Sequence, residues 1–278
     1  MDNKKIPRVI HMTYKINRVN PIVYNKWKKL NPNYRITFSN DIDCYKFIEK
    51  KFSKEYAEFF NNIVFGPNKA DFWRLCKLYI EGGVYVDIDV YSYINLDYFT
   101  KDYTFCSCIN SGKAIFQAII GSTKNNIIIE KAIKFFYEKR YEMKLFQNIG
   151  YNAAPTHNLY SLLNNIMHKI PTPFTVYNIK IDSEEKTKNI ENIENMKNME
   201  KIYFYYEILL EPKKGLDGYY VIDKNKLVLF KSRFDGFNEW KNNISKFKQN
   251  NRINNRINNR INNIINYKNF NKLKLVIN

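Results

Sequence analysis

Asp71, Arg74, Asp87 and Asp89 are the residues whose types and spacing point to chemistry in this chain. Asp87-Ile88-Asp89 closes a short apolar run, and on an extended backbone residues i and i+2 face the same way. Two carboxylates set side by side repel each other unless something positive sits between them. A hard divalent cation such as Mn²⁺ or Mg²⁺ does that well, because it takes oxygen ligands and keeps positions open for phosphate. Asp71 and Arg74 lie three apart, so on a helix they share one face and reach one cleft together. An isolated D-x-D is ordinarily a solvated turn. Here it follows an apolar strand, a glycine pair and a helix that carries its own Asp/Arg pair.

Those elements are legible in Gly66 to Tyr91, G-P-N-K-A-D-F-W-R-L-C-K-L-Y-I-E-G-G-V-Y-V-D-I-D-V-Y. Pro67 suits the first helical position, where a missing N–H costs nothing. Phe72, Leu75, Leu78 and Tyr79 recur at helical spacing and predict one core-facing stripe. Gly82-Gly83 ends the helix and turns the chain. Val84-Tyr85-Val86 then reads as a buried strand.

The stretch A-D-F-W-R-L-C-K-L-Y-I-E-G-G-V-Y-V-D-I-D resembles the core of the DXD-containing glycosyltransferases. That family is related to the yeast initiating α-1,6-mannosyltransferase and to capsular sugar transferases (glycosyltransferase family 32-like), and the large clostridial glucosylating toxins carry the same signature. Ala70 stands where the family has Ser. Ile6-Pro7-Arg8-Val9-Ile10-His11-Met12-Thr13-Tyr14 is a second match, similar to the family's opening I-P-K-x-I-H-x-x-W with Tyr14 in place of Trp. The resemblance implies a GT-A type nucleotide-sugar-binding fold, an α/β open sheet flanked by helices. It also implies metal-dependent transfer of a sugar from a UDP-sugar or GDP-mannose to a glycan, lipid or protein hydroxyl, with retention of configuration. Asp71, Arg74, Asp87 and Asp89 are the expected catalytic residues. Tyr14, Asp71, Arg74, Gly83, Tyr85 and Asp87 are the expected nucleotide-sugar contacts, with Tyr14 stacking on the base. Mn²⁺ or Mg²⁺ would sit on Asp87 and Asp89. Relatives add a His before a closing Ser-Trp; here Phe230 to Phe237 lacks that His, and Asp235, Ser232 and Lys231 are the candidate substitutes, with Asp235 as the expected metal ligand. Ala154-Pro155 loosely matches an acceptor-side loop, which makes Thr156 and His157 candidate acceptor contacts. His11 reads as a structural hydrogen-bonding residue.

Strand and helix signals alternate before the D-x-D: a strand over Arg8 to Met12, a helix over Pro21 to Leu30 and a strand over Tyr34 to Phe38. Helices capped by Ser39 or Asn40 and by Ser53 follow, running to Lys51 and Asn62. That order, with ligands at strand ends, argues for an open α/β sheet. Strands are expected over Tyr103 to Ile109, Ala114 to Ile120, Ile202 to Tyr206 and Lys226 to Phe230. Helices are expected over Asn126 to Tyr141 and Asn158 to Met167, the latter entered through a loop at Asn152 to His157.

At 278 residues the chain is long enough for a full core, and 16% aromatic content excludes a disordered protein. Four cysteines without a C-x-x-C pair argue against a disulfide framework or thiolate metal site and suit a reducing compartment. No apolar leader or long apolar run is visible, which sets the expectation of a cytoplasmic protein without a transmembrane segment. Abundant Lys, Asn and Ile suit an AT-rich genome such as that of a large DNA virus, a statement about codons alone. The expected division is a catalytic domain over 1–235, with a polar insertion at 182–201, and a basic helical tail over 236–278. The tail carries nine Lys/Arg against one acid, part of a net charge of +18, and repeats R-I-N-N. It reads as an arm for an anionic membrane or nucleic acid, or as a slippage expansion with no partner. A non-catalytic basic binding protein with a relic fold is the alternative to the enzyme.

Overall fold

Asn40 and Ser53 start two helices for the reason their side chains suggest. Asn40 accepts from the backbone N–H of Ile42 and Asp43 while Asp43 reaches back to the Asn40 N–H, and Ser53 accepts from Tyr56 N. The computed structural model describes residues 5–15, 21–110, 112–140, 154–180, 199–210 and 218–232. Asp235, residues 182–198 of the expected insertion, the tail from Gly236 and the side chains of Thr156 and His157 lie outside the described residues.

The chain opens with β1 (Val9–Thr13), α1 (Pro21–Leu30), β2 (Arg35–Ser39), α2 (Asp41–Lys51) and α3 (Lys54–Asn62). The central motif follows as α4 (Gly66–Glu81) and β3 (Gly83–Val86). Beyond it come β4 (Tyr91–Ser92), α5 (Leu96–Thr100), β5 (Phe105–Asn110), β6 (Ile115–Ser122), α6 (Ile127–Glu138) and α7 (Ala154–Met167). The last elements are β7 (Val176–Lys180), β8 (Met199–Leu210), β9 (Gly218–Ile222) and β10 (Val228–Ser232). Four of these were not foreseen: β4, α5, β7 and β9. Two expectations are corrected. α7 begins at Ala154, with Pro155 in its first turn where it costs no hydrogen bond, so the expected loop is shorter. Met199 to Lys201, assigned from composition to the polar insertion, are the start of β8, paired with Asn178 to Lys180 of β7.

The ten strands form one mixed sheet in the order β2-β1-β3-β6-β5-β8-β9-β10-β4, with β7 also paired to β8. β1, β2, β3, β5 and β8 run the same way, so their C-terminal ends share one edge. β4 is last in that order, yet only residues 87–90 separate it from β3. Four residues cannot span a flat sheet of that width, so the open sheet curls until its far end meets the turn after β3. The fold is therefore α/β, as expected, with more curl and more antiparallel pairing than a doubly wound sheet.

Two apolar clusters cover the two faces. One joins α2, α3, α4, α6 and α7 to the sheet through residues such as Phe59, Phe72, Leu78, Ile129 and Leu163. The other lies inside the curl and gathers Trp27, Val86, Phe99, Tyr205 and Phe230. α4 does not show a single buried stripe. Every residue from Asp71 to Leu78 is buried, because α4 is sandwiched between the sheet and the neighbouring helices. Its Asp71, Arg74 and Lys77 are thus charges in the interior, and each needs an internal reason. No helix of the described residues is long and apolar enough to cross a membrane.

Candidate active site

Gly82 and Gly83 connect α4 to β3 with φ of +62° and +101°. Both lie in the region that favours glycine, and a Cβ at Gly83 would stand 2.6 Å from the Val9 carbonyl oxygen. His11 pins this corner from β1. Its Nε2–H donates to the Gly82 carbonyl at 2.8 Å, and its Nδ1 meets the Thr37 hydroxyl at 2.7 Å. Burial lowers its pKa to about 4, so the imidazole is neutral and structural, as the sequence suggested. β3 then carries the chain across the sheet. Gly83 stays at the far end of that strand from Asp87, so the structure does not bring it to the other expected site residues.

β3 ends at Val86, and the D-x-D is a turn: Val90 N donates to the Asp87 carbonyl at 3.0 Å. Asp suits the first position of such a turn. This corrects the extended-backbone argument, because Ile88 and Asp89 have left the strand and the turn, not the pleat, presents the two carboxylates. Both remain partly open to solvent, Asp87 with 32% of its side chain exposed. Trp27 of α1, wholly buried, fastens the far side of the turn by donating from Nε1 to the Val90 carbonyl at 2.9 Å. Trp27 in turn stacks on Phe230 of β10, which ties the turn to the closing strands.

Arg74 is the hub behind this turn. Its Nε donates to the Ala70 carbonyl, Nη1 to the Gln117 carbonyl on β6, and Nη2 to Asp87 Oδ1 at 3.2 Å. Nη2 also lies 3.2 Å from Asp71 Oδ1, and the guanidinium plane sits 4.2 Å from the Tyr85 ring centroid. Tyr85, itself fully buried, donates its hydroxyl to Asp87 Oδ1 at 2.5 Å. Arg74 and Tyr85 therefore orient Asp87 from behind. Asp87 Oδ2 accepts nothing among the described residues and is left for a group outside the protein.

Asp71 differs from Asp87 in kind. It is 4% exposed, and its Oδ2 has no hydrogen-bond partner among the described residues. Burial raises its pKa from 3.8 to about 6, against the opposing pull of Arg74 and with Asp87 adding to the rise. A buried carboxylate oxygen without a donor is costly in a folded protein, and such groups concentrate at functional sites. Tyr14 follows β1 directly, half-exposed, with its N–H donating to the Ser39 carbonyl at 3.2 Å. β1 and β3 are neighbours with His11 opposite Tyr85, which places Tyr14 on the same edge as Asp87.

The sequence reading missed Gln117 and the anchoring part of Trp27. Gln117 was visible as the single strongly polar residue in the apolar run Ile115 to Gly121, which was read only as a strand. The indole of Trp27 was visible, but not its partner sixty-three residues away.

Among the described residues no three His, Cys, Asp or Glu side chains converge into a protein-only metal cage. The donor set at the turn nevertheless fits a hard divalent cation. It offers only carboxylate oxygens, at a solvent-open edge, with Asp87 Oδ2 unengaged. Such a cation takes six or more oxygens, so the ligands beyond Asp87 and Asp89 would be water and phosphate.

Residues 19–106, about a third of the chain, match the family model described as glycosyltransferase sugar-binding region containing DXD motif. No curated protein matches the chain. Seven solved chains match. One, the PaToxG Glycosyltransferase, is 20% identical over 60% of this chain and 72% of its own, with a TM-score of 0.42. The matched region contains Asp71, Arg74, Asp87 and Asp89, so this part of the chain is similar to the sugar-binding region of DXD-containing glycosyltransferases.

Proposed function

We propose that this domain transfers a sugar from a nucleotide-sugar, a UDP-sugar or GDP-mannose, to an acceptor hydroxyl, with retention of configuration. The observation that carries the proposal is the free Oδ2 of Asp71, buried beside Arg74 and behind a D-x-D turn that opens to solvent. A hydroxyl of the donor sugar satisfies that oxygen, and a charge-assisted hydrogen bond to it is stronger than one between neutral groups. Tyr14 offers an aromatic face to the base at the same sheet edge. Asp87 and Asp89 would hold Mn²⁺ or Mg²⁺, which would supply a positive charge against the diphosphate.

Within the protein, the division of labour follows from the contacts. Arg74 and Tyr85 keep Asp87 in one orientation, so no reorganisation is needed as charge moves onto the leaving diphosphate. Arg74 itself is enclosed and stays where it is, acting as a fixed positive charge behind the donor. Asp71 sets the sugar against that charge. The acceptor hydroxyl attacks from the face the diphosphate leaves, so the departing group is the nearest acceptor for its proton.

The test is a screen of nucleotide-sugars for hydrolysis and transfer, with added Mn²⁺ or Mg²⁺ and with chelator. Turnover that needs the cation and is lost in Asp71→Asn is the expected result. A folded protein that neither binds nor turns over any nucleotide-sugar would leave the relic-fold alternative in possession.

A further inference from the structure

β6 is irregular where it passes the site. Cys106 of β5 pairs with Gly121 and Cys108 with Phe116, so extra residues of β6 bulge out between them. The bulge is stabilised from β5, whose Ser107 hydroxyl lies 3.2 Å from the Phe116 carbonyl and 3.0 Å from that of Ile119. Bulges gather next to active sites because they re-aim a side chain. Gln117 lies among the bulged residues.

Three observations tie Gln117 to the site. Its carbonyl takes Arg74 Nη1, the same guanidinium that holds Asp71 and Asp87. The next carbonyl, that of Ala118, accepts from the Asp87 N–H at 2.9 Å, so Gln117 is one residue removed from the D-x-D turn. Its side chain is 3% exposed, and its Oε1 has no hydrogen-bond partner among the described residues. A Leu or Met would fill the same space without leaving a polar atom unmatched, so packing does not explain the amide. Two residues that contact a single guanidinium, Asp71 and Gln117, thus each carry a buried side-chain oxygen with no partner among the described residues.

We propose that Gln117 is a donor-specificity residue: its amide and Asp71 Oδ2 are two hydrogen-bonding places for hydroxyls of the transferred sugar. The inference rests on the glycosyltransferase reading and deepens it, naming a residue outside the region matched by the family. Ionised Asp71 can only accept, whereas the amide can turn its oxygen or its NH₂ to a hydroxyl. The pair therefore selects donors by which ring positions carry a hydroxyl. A site built to hydrogen-bond a hydroxyl rejects the analogue lacking it, because the buried group is then left unpaired.

The experiment measures turnover and calorimetric binding for the preferred nucleotide-sugar and its single-deoxy analogues, in the wild-type chain and in Gln117→Leu. In the wild type, one deoxy position should cost on the order of tenfold or more in kcat/KM and in affinity. In Gln117→Leu that one penalty should vanish while those at other positions persist, and Gln117→Glu should restore part of it. Nucleoside diphosphate without the sugar should bind both forms alike. A structural amide would lower every donor together and leave all the differences intact, and that result overturns the proposal. If Gln117→Leu does not fold, Gln117→Asn, whose amide is drawn back by one methylene, must shrink the same penalty. Absence of turnover and binding with every donor would instead overturn the glycosyltransferase reading itself.

Discussion

Asp71 and His11 are buried groups of opposite kind, and their titrations oppose each other. Asp71 has its pKa raised from 3.8 to about 6 by burial. As pH rises across that window the unfolded chain gives up its proton first, so stability is lost up to the folded value. A shift of about two units amounts to about 3 kcal/mol. His11 has its pKa lowered from 6.5 to about 4, again by burial. Its contribution is present above 6.5 and disappears as pH falls toward 4, also by about 3 kcal/mol. In the wild type the two slopes nearly cancel between pH 4 and 6. Asp71→Asn removes one of them while conserving shape. The perturbation should therefore leave stability near that of the wild type at pH 4 and raise it relative to the wild type by about 3 kcal/mol at pH 7. The variant should also show the acid lability that His11 imposes and that Asp71 normally masks. Urea unfolding at a series of pH values, in chelator, reads this directly, because groups remote from Asp71 contribute equally to both proteins. A difference between the two proteins that stays constant from pH 4 to 7 would refute the argument. The same protonation sets activity: turnover should fall as pH drops through about 6, well above the range of an ordinary carboxylate.

Asp89→Ala should abolish cation-dependent turnover while leaving circular dichroism and thermal unfolding close to wild type, since the side chain lies on an open turn; undiminished turnover would remove Asp89 from the site. Tyr14→Ala should weaken nucleotide binding by roughly 1–3 kcal/mol, as expected for loss of an aromatic stack, with Tyr14→Trp at least as tight; unchanged calorimetry in Tyr14→Ala would exclude stacking there. Gly83→Ala forces a Cβ toward the Val9 carbonyl at a φ of +101°, and should lower stability by about 2 kcal/mol or more in thermal unfolding. An unchanged midpoint would mean that the corner relaxes cheaply.

The helices before the D-x-D were legible because their signals are local. A cap such as Asn40 acts on N–H groups two and three residues away, Pro67 fixes its own φ, and Gly82 admits the positive φ of its own turn. The residue types of the site were legible for the same reason, since Asp71, Arg74, Asp87 and Asp89 fall within one short motif. What that motif does depends on residues remote in the chain. Arg74 is fixed by Gln117, the turn by Trp27, and the closing strand by Phe230, and none of these partnerships leaves a periodic trace. β4 is two residues long and β9 pairs only with late strands, so neither presents enough pattern to be seen alone. The sequence by itself determined the helices and strands with strong local signals and which side chains carry charge. Only the tertiary structure decided that Asp87 is held from behind, that Asp71 is buried with one oxygen unmatched, and that the sheet curls back to its own turn. Burial and long-range pairing are properties of the packed chain, and no local stretch contains them.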